Sequence, residues 1–246
     1  MAVDFSNRFI DVLKTASNVV VSTGAGVSAE SGVPTFRGED GIWKKMKPEE
    51  LATFDAFQRN PQIVWEWYQH RRDIISKIKP NPGHYAIVEL AALFDDFCLI
   101  TQNVDSLHQE AGSSEVVELH GNIRRNRCID CGLMNYDVEF TEFPPKCACS
   151  GRLRPDVVWF GEMLPYDALQ RAQTVSQTCD LFFTVGTSGV VQPAASLPLI
   201  AKRHGAFVVE VNLGPTELSF IADQCYHGKS GEILPEIVNK IKTMRG

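Results

Sequence analysis

Apolar residues fall in two rhythms along the chain. Five short runs are apolar on both faces: residues 18–23 (NVVVST), 97–101 (FCLIT), 115–119 (EVVEL), 181–185 (LFFTV) and 207–211 (FVVEV). Runs this short, rich in Val, Ile and Phe, predict buried parallel strands. Helical patterns cover 4–16, 48–58, 61–78, 83–94, 166–178, 193–204 and 231–243. Pro61, Pro82, Pro193 and Pro235 stand near predicted helix starts, where a missing N–H costs little. Strands alternating with helices predict an α/β fold with a doubly wound parallel sheet.

Two segments break the alternation. Residues 34–79 carry two helical patterns with no strand between them, and 123–154 carry four cysteines and little sign of regular structure. Both read as insertions that together form a smaller lobe. The expected division is 1–33, 80–122 and 155–246 for the α/β domain, and 34–79 with 123–154 for the lobe, with ligands in the cleft between them. Each predicted strand ends in small or polar residues: GAGVS, QNVD, HGN, GTS and NLG, in chain order. In an open parallel sheet, ligands bind beyond the carboxyl ends of the strands.

Composition narrows the function. Of 246 residues, 44% are hydrophobic and 22% charged, ordinary for a folded soluble chain. A net charge of −6 argues against nucleic acid as a partner. Arg124, Arg125 and Arg127 form a basic cluster too small to change that, and read as a solvated turn. The first 16 residues place Asp4, Arg8 and Asp11 among apolar positions, so they read as an amphipathic helix and not a signal peptide. With no run long enough to span a membrane, the expectation is a cytoplasmic protein.

Cysteine spacing identifies a metal site. Cys128-x-x-Cys131 and Cys147-x-Cys149 are separated by 15 residues. Four thiolates suit tetrahedral zinc and leave no open position, so the site is structural. Cys98, Cys179 and Cys225 are scattered, and Cys98 reads as a buried inert thiol.

The stretch VVVSTGAGVSAESGVPTFRG, residues 19–38, begins as a dinucleotide loop with Gly24, Gly26 and Ala29. Gly26 is expected to let the backbone approach a pyrophosphate. The loop does not continue into a long helix, because Gly32 and Pro34 intervene. Glu49 and Glu50 have the spacing of a ribose-reading acid but lie in a helical pattern, not at a strand end, so hydride transfer is disfavoured.

GAGVSAESGVPTFRG, TQNVDSLHQEAG, ELHGN, the cysteine cluster, LRPDVVWFGE, GTS and EVN occur in the order found in the sirtuins, NAD-dependent protein-lysine deacylases. The resemblance spans about residues 9 to 240. It implies a Rossmann-like domain with a zinc-bearing helical lobe, and NAD as a consumed co-substrate. It implies that Gly24, Ala25, Gly26 and Ser28 cradle the pyrophosphate and that Thr35, Phe36 and Arg37 form a loop over the nicotinamide ribose. Pro34, Trp43 and Val104 join the cofactor-binding set. Gln102, Asn103 and Asp105 line the nicotinamide pocket, Asn103 and Asp105 also positioning a water; Gly186, Thr187, Ser188, Asn212 and Ser230 hold the adenosine half. Val158, Trp159, Phe160, Gly161 and Glu162 present backbone to an extended peptide. His120 is the implied base, activating a ribose hydroxyl after the acyl oxygen has displaced nicotinamide. His84 resembles a family helix-start residue and reads as structural.

The acyl group is addressed by Tyr68 and Arg71, three apart on one predicted helix. A guanidinium can take a carboxylate in two bonds and a phenol can add one. This pair and Ala52 resemble the branch that removes succinyl and malonyl groups. The chain is therefore expected to be a monomeric deacylase of protein lysines, with acetyl removal alongside. Mono-ADP-ribosyl transfer and a non-catalytic NAD or acyl-lysine sensor are the rival readings.

Overall fold

In the computed structural model, which describes residues 4–35, 47–136 and 143–245, the chain forms two sheets. The strands among the described residues are β1 (Asn18–Thr23), β2 (Asp96–Thr101), β3 (Val116–Glu118), β4 (Gly121–Cys128), β5 (Met134–Asn135), β6 (Leu153–Val157), β7 (Leu181–Val185), β8 (Phe207–Asn212) and β9 (Gln224–His227). The larger sheet runs β3-β2-β1-β7-β8-β9, with every pairing parallel. The chain starts at β1, winds outward through β2 and β3, then returns to the other side of β1 with β7. The β1/β7 seam is therefore the switch point of a Rossmann-like sheet.

Both faces of this sheet are covered, which is why its inner strands β1, β2, β7 and β8 are largely apolar. Val19 and Val21 pack with Phe9 and Leu13 of helix Asn7–Thr15, Ile87 of helix Pro82–Ala91 and Leu234 of helix Ser230–Arg245. Val20 points the opposite way, into Ala172 of helix Tyr166–Thr178 and Leu197 of helix Leu197–Arg203. Each fully buried side chain of this size contributes roughly 1.5–3 kcal/mol from desolvation.

The second sheet, β5-β4-β6, is antiparallel and lies outside that frame. It packs against helix Pro61–Ile75 around Trp65, Ile123, Leu153 and Trp159. Trp65 Nε1 donates to the Leu153 carbonyl at 3.0 Å, and Arg72 Nε donates to that of Ile123 at 2.6 Å. The helical insertion and the cysteine-bearing segment thus share one core. The expectation of little regular structure over 123–154 is corrected here. Arg124, Arg125, Asn126 and Arg127 fill four consecutive positions of β4, so no apolar run marked it.

Other departures are local. The predicted helix 48–58 is two, Pro48–Leu51 and Phe54–Arg59, because Thr53 turns out of helix to cap the second through Ala56 N–H. The predicted helix 193–204 opens as a 3₁₀ turn, Ala194–Ser196. Pro235 lies inside helix Ser230–Arg245, not at its start. Strand β9 was missed because only Tyr226 in it is buried, as suits an edge.

Candidate active site

The carboxyl ends of β1 and β7 touch. Gly24 N–H donates to the Val185 carbonyl at 3.0 Å and Gly26 N–H to that of Gly186 at 2.8 Å. A Cβ on Gly26 would lie 2.7 Å from Gly186 Cα. Gly186 itself has φ +61° and a side chain there would overlap Val27 N. The immediate reason for these glycines is therefore one loop closing on another, not only ligand approach. Gln102 Nε2 donates to Thr187 Oγ1 at 3.1 Å, and Asn212 Nδ2 to the Thr187 carbonyl at 2.7 Å. The ends of β2, β7 and β8 are thereby tied to one residue. Ser188 is exposed beside it. Ser230 lies two residues beyond Gly228, whose N–H donates to the Asn212 carbonyl, and its hydroxyl donates to Glu30 at 2.7 Å.

Behind the seam is a buried polar cluster. Asn103 Nδ2 donates to the Gly24 carbonyl at 3.0 Å and to Ser28 Oγ at 3.1 Å. Asp105 is buried and accepts from Leu107 N–H at 2.9 Å. Burial pushes its carboxyl above the usual range, opposed by Leu107 N–H, the Ser28 hydroxyl and the Arg71 charge. Val104, between them, is buried. His84 does cap its helix, in a box with Asn81, but its ring also reaches Ser28 Oγ at 3.4 Å. It lies 4.9 Å from the ring of His108, whose Nε2 meets Thr23 Oγ1 at 2.9 Å. Burial holds both rings neutral, lowering His84 to about 4 and His108 to about 3. His108 and Thr23 had no role in the sequence reading. The signal available was a histidine within the quoted TQNVDSLHQEAG segment and a hydroxyl ending an apolar strand.

His120 sits in the two-residue step between β3 and β4, where the chain passes from one sheet to the other. Its Nδ1 is 3.0 Å from the Gln102 carbonyl. A carbonyl only accepts, so Nδ1 carries the proton and Nε2 keeps its lone pair. Burial lowers the ring's pKa, the Gln102 bond partly opposing it. Gly121 follows with φ +76°, where a side chain would overlap the Asp156 carbonyl oxygen. That glycine lets β4 meet β6 beside the histidine.

Beyond β6 the chain passes His120 directly, Val158 N–H donating to the His120 carbonyl at 2.9 Å. Phe160 N–H donates to the Ala52 carbonyl at 2.9 Å, and Phe160 pairs with Thr53 in a parallel bridge. Gly161 turns with φ +86°, and Glu162 folds back so that Oε2 accepts from Trp159 N–H at 2.8 Å. Tyr68 and Arg71 are buried, at 3% and 7% exposure, so Arg71 is no solvent-facing cation. Arg71 lies 5.1 Å from the Trp67 ring centre and interacts electrostatically with Asp105. The helix pair therefore faces the end of β2. Pro34 is exposed and Thr35 half-buried; Phe36, Arg37 and Trp43 lie outside the described residues. Gly24, Ala25, Gly26, Ser28, Gln102, Asn103, Asp105, His120, Gly186, Thr187 and Asn212 are brought to one edge of the sheet. Their amides and hydroxyls, at neighbouring strand ends across a switch point, suit a dinucleotide.

The Sγ atoms of Cys128, Cys131, Cys147 and Cys149 all lie within 4.8 Å of one another. Cys128 to Cys149 is 3.6 Å and Cys131 to Cys147 is 3.8 Å. A zinc ion with ~2.3 Å sulfur bonds needs tetrahedral edges of about 3.8 Å, so the residues fit it. Cys98 is buried, and burial raises its thiol pKa, as an inert thiol requires. Arg124, Arg125 and Arg127 lie in strand β4 and not in a solvated turn; Arg124 pairs with Glu110, Arg125 with Glu118 and Asp156, and Arg127 with Asp156, so the basic cluster is neutralised within the protein. Among the described residues no helix is long and apolar enough to cross a membrane.

Known proteins agree with this geometry. Residues 24–193, well over half of the chain, match the description "Sir2 family". An "NAD-dependent protein deacylase" of Aquifex aeolicus is 53% identical over 232 residues, covering 93% of this chain and 97% of that one. A Sir2 homolog–NAD complex superposes with a TM-score of 0.91 at 45% identity, covering 99% of this chain and 96% of that one. A Sir2–p53 peptide–NAD+ structure superposes with a TM-score of 0.85 at 34% identity, covering 98% and 100%. Identity of this extent over nearly whole chains leaves one conclusion: the chain belongs to the Sir2 family of NAD-dependent protein deacylases.

Proposed function

We propose that this deacylase removes succinyl and malonyl groups from protein lysines, and acetyl groups alongside, releasing free lysine, nicotinamide and O-acyl-ADP-ribose. NAD supplies the ribosyl carbon that takes the acyl oxygen as nicotinamide leaves. Gly24, Ala25, Gly26 and Ser28 cradle its phosphates, and Gly186, Thr187, Ser188, Asn212 and Ser230 take the adenosine half. Ser230 has already donated its proton to Glu30, so its oxygen is left to accept. Asn103 and Asp105 orient the nicotinamide end. His120 Nε2 then takes a proton from a ribose hydroxyl, a role that its tautomer supports. Val158–Glu162 offers backbone carbonyls to the peptide, the N–H groups of Val158, Trp159 and Phe160 being engaged within the protein, and Cys128, Cys131, Cys147 and Cys149 hold a structural zinc.

The observation that carries the acyl preference is the buried Tyr68/Arg71 pair, in electrostatic range of Asp105. A guanidinium kept from water gains most from a carboxylate partner. The test compares acetyl, malonyl and succinyl versions of one peptide at fixed NAD. Arg71→Met is expected to lower kcat/KM for the succinyl peptide roughly 100-fold, as loss of a charge-assisted bond pair implies, with acetyl turnover changed only a few-fold. Equal losses on both peptides would discard the preference.

A further inference from the structure

Trp159 is anchored on every side. Its indole is buried, and the Arg154 guanidinium lies 3.4 Å from its ring centre. Arg154 pairs in turn with Glu162, the residue whose carboxylate holds Trp159 N–H. Phe57 packs on the indole with ring centres 5.3 Å apart. With the ring so held, its indole Nε1–H, distinct from the backbone N–H that Glu162 accepts, is fixed on Tyr68 and donates to Oη at 2.8 Å.

A phenol hydroxyl prefers two in-plane directions for its proton. With the Trp159 donor occupying one side of Oη, the Tyr68 proton takes the other. Burial pushes the Tyr68 phenol up to about 12, so the proton is present throughout the working pH range. Tyr68 is thereby a donor aimed before any substrate arrives, three residues from the Arg71 cation on one helix. Preorganised donors cost less to engage than free rotors.

We propose that Trp159 is a specificity-determining positioning residue: its indole N–H aims the Tyr68 hydroxyl so that carboxylate-ended acyl groups gain a bond that acetyl cannot make. This rests on the Tyr68/Arg71 reading above. The test is Trp159→Phe, which keeps an aromatic ring and deletes the N–H, measured with Tyr68→Phe and the double variant. Trp159→Phe is expected to raise KM for the succinyl peptide about five-fold more than KM for the acetyl peptide, the worth of one neutral hydrogen bond, with a smaller effect on kcat than on KM. Tyr68→Phe deletes the bond itself and should cost the succinyl peptide at least as much, and the double variant no more than Tyr68→Phe alone, because the two act as one unit. Equal losses on acetyl and succinyl peptides, or single losses that multiply in the double variant, would overturn the inference while a selective effect of Arg71→Met upheld the reading beneath it. An unselective Arg71→Met would overturn both.

Discussion

The proposed role of His120 as a base rests on one hydrogen bond. The Gln102 carbonyl takes the Nδ1 proton, and Nε2 is left as the only basic atom of the ring. Burial lowers the pKa, so the neutral form persists to lower pH than for a free histidine. The sign for activity follows. A base must be unprotonated, so kcat/KM should fall on acidification only below the usual histidine range of about 6.5. A profile with its acid limb above that value would contradict the assignment. His120→Tyr should lower deacylation by at least roughly 100-fold, a general base's usual share, with zinc content and melting temperature preserved. Near-normal turnover would move the base elsewhere.

Helices and strands contribute mainly through their ends. The Gly24–Gly26 loop after β1 and the Gly186 loop after β7 come into backbone contact, and neither tolerates a side chain. Gly26→Ala should therefore separate the two loops, at a cost of ~1–3 kcal/mol from overpacking. For a chain of this length that is a melting-temperature drop of roughly 2–4 °C per kcal/mol, together with weaker NAD binding in a titration. An unchanged melting temperature and affinity would mean that the loops have room to spare. Similar economy governs β3 and β4. They are separated by Leu119 and His120 alone, so the histidine lies where the chain leaves one sheet for the other. Gly121 is needed because β6 passes so close.

For the molecule as a whole, the cysteine cluster and the sheet edge that carries His120 are joined by β4, which runs from Gly121, next to His120, to Cys128. The core around Trp65, Ile123 and Leu153 also contains Cys128, Cys147 and Trp159, so the metal site and the segment after β6 share packing. Removing zinc should therefore impair deacylation without melting the large sheet, whose core is separate. Chelation followed by metal analysis, circular dichroism and a deacylation assay checks this. Full activity at well under one zinc per chain would show that the two are uncoupled.

Five of the six strands of the large sheet were legible because burial on both faces leaves apolar runs in any chain that uses them, as at Val19–Val21 and Leu181–Val185, whereas the half-exposed edge strand β9 left none. The zinc ligands were legible because thiolate spacing is a local property. β4 and β6 were not, since charged and polar residues interrupt both, at 124–127 in β4 and at Arg154 and Asp156 in β6, and their pairing is set by distant residues. The sequence by itself determined the fold class, the four metal ligands and the polar residues at the strand ends. Tertiary structure alone decided that Gly26 meets Gly186, that His84 and His108 lie side by side, and that Trp159 holds Tyr68 across 91 positions of chain. The physical reason is one of range. Periodicity and spacing act over a few residues, whereas a tautomer, a buried cation and an aimed hydroxyl are set by neighbours that only folding brings within hydrogen-bond reach.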